Sequence, residues 1–167
     1  MFLTKKIDGR IKITVCADGR GQRITFEKED AASPTVANEN IFITSAIDPH
    51  ERTDVATINI SGTFLHADSD EHIIVVLKVK LALLICHVYP KLYRKYIIFD
   101  KRGKPVLLVK FFKSLYGLLQ SVMLFYHKLV KDLQKYGLKV NPYDPCVFNG
   151  TKNGEQLLVT FLDGDLK

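Results

Sequence analysis

The 167-residue chain lacks most of the usual marks of a small enzyme or a secreted domain. Its three cysteines, Cys16, Cys86 and Cys146, are odd in number and far apart. No CxxC pair and no His/Cys ligand spacing accompanies them, which argues against a structural zinc site and a disulfide framework. They read as buried free thiols in a reducing compartment. The start, "MFLTKKIDGR", has no apolar stretch of the kind a secretory leader needs, so the expected location is intracellular, cytoplasmic or nuclear, and not secreted. The longest apolar run, "IIVVLKVKLALLICHV" at 73–88, is interrupted by Lys78 and Lys80 and is too short to span a bilayer, so no membrane partner is expected. There is no nucleophile elbow, phosphate-binding glycine loop, HExxH helix or dinucleotide fingerprint. Repeats and low-complexity tracts are also missing.

What is present suits one folded domain with a real core: 47% hydrophobic residues and 25% charged ones. The net charge of +6 is uneven. Residues 1–72 carry 8 Lys/Arg against 12 Asp/Glu, and residues 73–167 carry 16 against 6. A basic half with many aromatics fits a polyanion partner such as nucleic acid, and it also fits a solvated lysine-rich surface.

Local patterns order the chain. "RIKITVCA" alternates and predicts a strand, followed by a glycine turn in "DGRGQR" and a short strand in "ITFEKED". Ser33-Pro34 predicts a helix start, with the helix running to about Ile47. "DVATINI" reads as a central strand because it lacks charge after Asp54. "HIIVVL" is a strand and "KVKLALLICHVY" a helix that ends at Pro90. "RKYIIF" and "PVLLVKFF" form a hairpin around "DKRGK". Leu115, Leu118, Val122, Tyr126, Leu129, Leu133 and Tyr136 recur at helical spacing, which predicts the longest helix, with Gly137 just past its end. "CVFNG" and "EQLLVTFL" form a last hairpin around "TKN". Helices mixed with hairpins, with few βαβ alternations, predict an α+β fold: an antiparallel sheet with packed helices.

The candidate chemistry is acidic and sits at two strand ends, "INISGTFLHAD" at 58–68 and "FLDGDLK" at 161–167. Asn59 alone is either a strand-end polar residue or a position meant to hold a charge. His66 beside it reads as a surface or packed histidine. Strand ends that converge with carboxylates suit paired hard divalent cations, which clamp the attacking and leaving oxygens of a phosphoryl transfer.

The segments "GRIKITVCADGRGQR", "ASPTV", "DVATINISGTFLHAD", "KSLYGLLQS", "LFYHKLV" and "NPYDPCVF" occur in one order along almost the whole chain. In that order and spacing the chain resembles the reverse transcriptase (RNA-directed DNA polymerase) of copia-type LTR retrotransposons. The resemblance implies a truncated fingers-palm fragment of a two-metal nucleotidyltransferase, a single domain over 1–167. Residues 1–53 would be fingers-like and 54–167 mostly palm-like; the thumb and ribonuclease H would be absent. It implies Mg²⁺ as cofactor and an RNA or DNA template-primer and dNTP as partners. Position 59 corresponds to the aspartate that holds both metals, and Asp163 and Asp165 to the remaining catalytic and metal-binding carboxylates. Phe64 corresponds to the aromatic under the nucleotide sugar, and Tyr116, Gly117 and Gln120 line the nucleotide and template pocket. In the strand where the family commonly has an arginine facing the triphosphate, this chain has Thr14. Lys12 nearby offers only a point charge.

The departures fall on the charges. Asn59 replaces the aspartate. The adjacent aspartate pair is broken, as Asp163-Gly164 in one register and Gly164-Asp165 in the other. Two Mg²⁺ ions would meet one or two fewer anions than such a site needs, so the expected copy has a degenerate active site and no measurable polymerase activity. The alternatives are a non-enzymatic nucleic-acid-binding remnant using the basic half, and a relic without function. Lys91, Arg94, Lys95, Lys101, Arg102 and Lys104 form the best basic cluster. It reads as a solvated hairpin or as a phosphate-backbone surface.

Overall fold

The computed structural model describes residues 2–14, 16–24, 33–162 and 165–166. They are mixed helix and antiparallel strand, an α+β arrangement. The chain divides into two compact units. One comprises 1–67 with 114–167, and the other 68–113.

The first unit opens with a hairpin, β1 (Phe2–Lys5) and β2 (Ile11–Thr14), in which Lys12 pairs with Thr4. "GRGQRI" forms a 3₁₀ segment over Gly19–Ile24 rather than a tight turn. The strand expected in "ITFEKED" falls mostly on residues 25–32, outside the described ones.

The first helix, α1, runs Asn38–Glu51, four residues beyond the expected start and end. The start is decided from a distance. Asp144 Oδ2 accepts hydrogen bonds from Ala37 N at 3.0 Å and Asn40 Nδ2 at 2.6 Å, and a carboxylate there complements the positive end of the helix dipole. The Ser33 hydroxyl instead turns to the carbonyl of Pro34. Pro49 lies in the last turn, where it removes one ladder donor, and Arg52 ends the helix in the left-handed region at φ 56.

A five-stranded antiparallel sheet has the order β3-β10-β9-β8-β7. Its strands are β3 (Ile58–Asn59), β7 (Lys139–Val140), β8 (Val147–Lys152), β9 (Glu155–Leu162) and β10 (Asp165–Leu166). The central strand expected in "DVATINI" is therefore two residues long, exposed and at the sheet edge. A lack of charge marks a buried strand only when both faces are covered, and Val55 and Ile58 are each more than half exposed. The β8–β9 hairpin turns at Asn153-Gly154, both at positive φ (56 and 88), as a two-residue hairpin turn requires.

The longest helix, here α4 (Ser121–Lys135), is strongly amphipathic. Leu115 and Leu118 precede it in an irregular segment, and Leu138 N closes its end on the Leu133 carbonyl at 3.1 Å. Phe125, Tyr126 and Leu129 face a core with Leu138, Cys146, Val147, Phe148 and Phe161. Cys146 is fully buried and burial pushes its thiol up to about 11. Cys86 is buried too, but Cys16 is exposed, which corrects the expectation of three buried thiols.

The second unit is a three-stranded antiparallel sheet of order β4-β6-β5, made of β4 (Asp68–Lys78), β5 (Ile97–Phe99) and β6 (Pro105–Lys113). With it are α2 (Val79–Val88) and the single-turn α3 (Pro90–Tyr93), where Pro90 takes the first helical position. Among the described residues, Ala82, Cys86, Val106 and Leu107 are its buried side chains.

Candidate functional site

The chain leaves the first unit at Ala67 and re-enters at Ser114, whose N–H donates to the Ala67 carbonyl at 2.9 Å.

β3 and β10 pair with Asp165 opposite Asn59 and Leu166 opposite Ile58. β10 also pairs with β9, Asp165 opposite Leu162. The two stretches singled out for their carboxylates thus meet on two rungs, whose partners are 106 and 108 residues apart in the chain. Asp163 and Gly164 connect β9 to β10 and lie outside the described residues. Lys12 and Asp165 are described by backbone alone.

After β3 the chain turns sharply. Gly62 sits at φ 66, Leu65 N donates to the Gly62 carbonyl at 2.8 Å, and Thr63 Oγ1 donates to the Ile60 carbonyl at 2.6 Å. A 3₁₀ turn over Thr63–His66 follows. His66 Nε2 lies 3.1 Å from the Ser61 carbonyl, so this histidine belongs to the turn. The turn delivers Phe64 to an aromatic series. Its ring meets Tyr116 edge-on at 4.5 Å and 64°. It also meets Phe125 at 6.4 Å, and Phe125 in turn meets Phe161 at 6.0 Å. Such pairs add about 0.5–1.5 kcal/mol each beyond area burial. The series ties the segment after β3, the "SLYG" segment, α4 and β9 together.

Tyr116 and Gly117 are held by a segment that sequence reasoning missed. Ala17 N donates to the Tyr116 carbonyl at 2.7 Å, and Leu119 N donates to Gln22 Oε1 at 2.9 Å. Gly117 stands at φ 91, and a Cβ on it would overlap the Ala17 carbonyl; a Cβ on Gly19 would overlap the Gly117 carbonyl. The glycines of "DGRG" and "LYG" are thus a close backbone approach, a signal readable only as a pair. Gln120 is half-buried and directly precedes α4, whose first residue, Ser121, is fully buried and donates its hydroxyl to the Leu115 carbonyl at 2.6 Å.

In the second unit Lys91 lies on α3, Arg94 and Lys95 on the 3₁₀ turn that follows, and Lys101, Arg102 and Lys104 on the β5–β6 connection; all six are exposed. Asp100 organises that connection: its Oδ1 accepts from Arg102 N and Lys104 N, each at 2.8 Å. Lys95 Nζ stands 4.9 Å over the Tyr96 ring. Residues 68–113 hold ten Lys/Arg and four Asp/Glu, net +6, and the other unit is neutral, with fourteen of each. The whole net charge of the chain belongs to this one unit.

Among the described residues no three His, Cys, Asp or Glu side chains cluster as a metal site. Asn59 offers a neutral carbonyl oxygen where a carboxylate would supply charge to a hard divalent cation, and its rung partner is Asp165. Among the described residues no helix is long and apolar enough to cross a membrane. The chain matches no family model, no curated protein and no solved structure.

Proposed function

We propose that the chain holds a fingers-and-palm region derived from a copia-type retrotransposon reverse transcriptase, one without polymerase activity. One observation carries this reading: the register that sets Asn59 opposite Asp165. The resemblance needs these two positions to converge, and nothing in their sequence spacing requires it. The Phe64–Tyr116 ring contact supports it, because the resemblance assigns both residues to one nucleotide pocket. Loss of activity follows from charge. With asparagine at position 59, Mg²⁺ lacks its principal anionic ligand, and the electrostatic stabilisation of the transferring phosphoryl group goes with it. Primer extension on RNA and DNA templates with dNTPs and Mg²⁺ is expected to yield no product; template-dependent extension refutes the inactivity.

A second reading is favoured by the charge distribution. A unit with all the net charge, six exposed cations and the Tyr96 ring beside Lys95 suits the backbone of an RNA or DNA strand. On this reading the chain acts without catalysis as a nucleic-acid-binding remnant in the cytoplasm or nucleus.

A further inference from the structure

The first unit carries a groove that the polymerase reading does not use. Two adjoining cavities, about 440 and 350 Å³, share Thr44, Asp48, Asp54, Leu157 and Leu158 in their linings. One wall is a full stripe of α1: Asn40, Ile43, Thr44, Ile47, Asp48 and Glu51 recur at three- and four-residue spacing. That stripe is where an amphipathic helix normally meets its neighbour. Here Ile43 is 54% exposed and Ile47 41% exposed, and across the groove Ile58 and Leu157 are exposed as well. Apolar side chains gathered in one groove and left in water mark an interaction site.

Charge says what fits it. Every Asp, Glu, Lys, Arg or His among the described lining residues is acidic: Asp48, Glu51 and Asp54. Asp48 and Glu51 lie in the last turn of α1 and Asp54 three residues beyond it. A helix C-terminus already carries partial negative charge, so carboxylates there oppose the dipole and destabilise the helix. Arg52, between them, does not line the groove. A cationic partner offsets that concentration of negative charge.

We propose that this groove binds a cationic amphipathic helical peptide segment of a partner protein. The partner's apolar residues, spaced three and four apart, would fill the floor at Ile43, Ile47, Ile58 and Leu157, and its lysines or arginines would face Asp48, Glu51 and Asp54. Ile58 lines the groove and Asn59 follows it on β3, so alternation assigns Asn59 to the opposite face of the strand. Occupancy of the groove is therefore independent of the candidate metal position, and the proposal stands whether or not the polymerase origin holds.

The test is fluorescence anisotropy with the full chain and a labelled leucine–lysine peptide patterned as an amphipathic helix. It is compared with a leucine–glutamate peptide of the same pattern and with a leucine–lysine peptide scrambled to remove the apolar face. The patterned cationic peptide is expected to bind at least about tenfold more tightly than either control. Glu51→Lys combined with Asp54→Lys, at two exposed positions, is expected to weaken it by a further factor of about ten or more. Ile43→Gln with Ile47→Gln is expected to weaken it while leaving thermal unfolding near wild type. Equal binding of either control, or binding unchanged in both double variants, overturns the proposal. Concentration-dependent self-association that competes with the peptide and is abolished by the charge reversal overturns it in favour of a second copy of the chain.

Discussion

Asn59 and Asp165 face each other across the β3–β10 ladder at the edge of the five-stranded sheet. A carboxylate at both positions would be two like charges directly opposed, which destabilises an antiparallel pair by about 0.2–1 kcal/mol unless a cation lies between them. Asn59→Asp is therefore expected to lower the melting temperature in EDTA and to recover in millimolar Mg²⁺ or Mn²⁺, with wild type unmoved by either metal. Differential scanning calorimetry with and without metal measures both halves. A variant equally stable in EDTA and in metal would show that the two positions do not form an ion site.

Gly117 and Ala17 form the second informative pair. A side chain at Gly117 meets two penalties, a left-handed backbone at φ 91 and the Ala17 carbonyl filling the Cβ direction. Gly154 has a similar φ of 88 but nothing within 4 Å of its Cβ direction. Gly154→Ala is expected to cost about 1–2 kcal/mol, the strain of the backbone alone. Gly117→Ala is expected to cost clearly more, because the 16–22 segment must also move off the loop. Urea unfolding of the two variants side by side checks this; equal losses would mean that the close approach contributes nothing.

Asp144 is 4% exposed, and its carboxylate accepts from Ala37 N, Asn40 Nδ2 and Cys146 N. Burial alone raises its pKa, but the hydrogen bonds from Asn40, Cys146 and Ala37 outweigh burial and hold it below the ordinary aspartate range. With the folded value depressed, the stabilisation is fully present above the unfolded pKa of about 4 and is lost as pH falls through the folded value. Asp144→Asn turns one acceptor into a donor facing donors, at a cost of about 1.5–3 kcal/mol near pH 7. The gap between wild type and variant in urea midpoint is expected to close as the pH drops below about 4. A gap that stays constant with pH would rule out the charge as its source.

Asp144 also shows why parts of the fold were legible and others were not. The β8–β9 hairpin and α4 depend on neighbours a few residues away, so alternation and three-four spacing revealed them. The start of α1 depends on a carboxylate 107 residues downstream, and Ser33-Pro34 looked like a better cap than Ala37. "DVATINI" looked central because its residues are apolar, yet the apolarity lines a groove instead of a sheet interior. At the candidate site, Asn59, Phe64 and Tyr116 were each readable by motif. The docking of Ala17 and Gln22 on residues 116–119 was not, because a backbone carbonyl and a glycine leave no pattern in composition.

The second unit's charge makes a prediction that does not depend on catalysis. Asp100 spends its carboxylate on the backbone of the β5–β6 connection, so Lys101, Arg102 and Lys104 present positive charge around a fixed turn. If these residues lie along a nucleic-acid backbone, affinity for a single-stranded oligonucleotide falls with salt, by a slope of about 0.7 per phosphate contact. Changing all three to glutamate is then expected to reduce that slope by about 2 and to weaken binding similarly for every sequence tested. The change falls outside the turn's own hydrogen bonds, which use backbone N–H groups, so the hairpin is expected to keep its shape. Binding isotherms at several salt concentrations decide the matter: an unchanged slope would assign these cations to solvent, and a slope reduced for one sequence only would mean base readout in place of backbone contact.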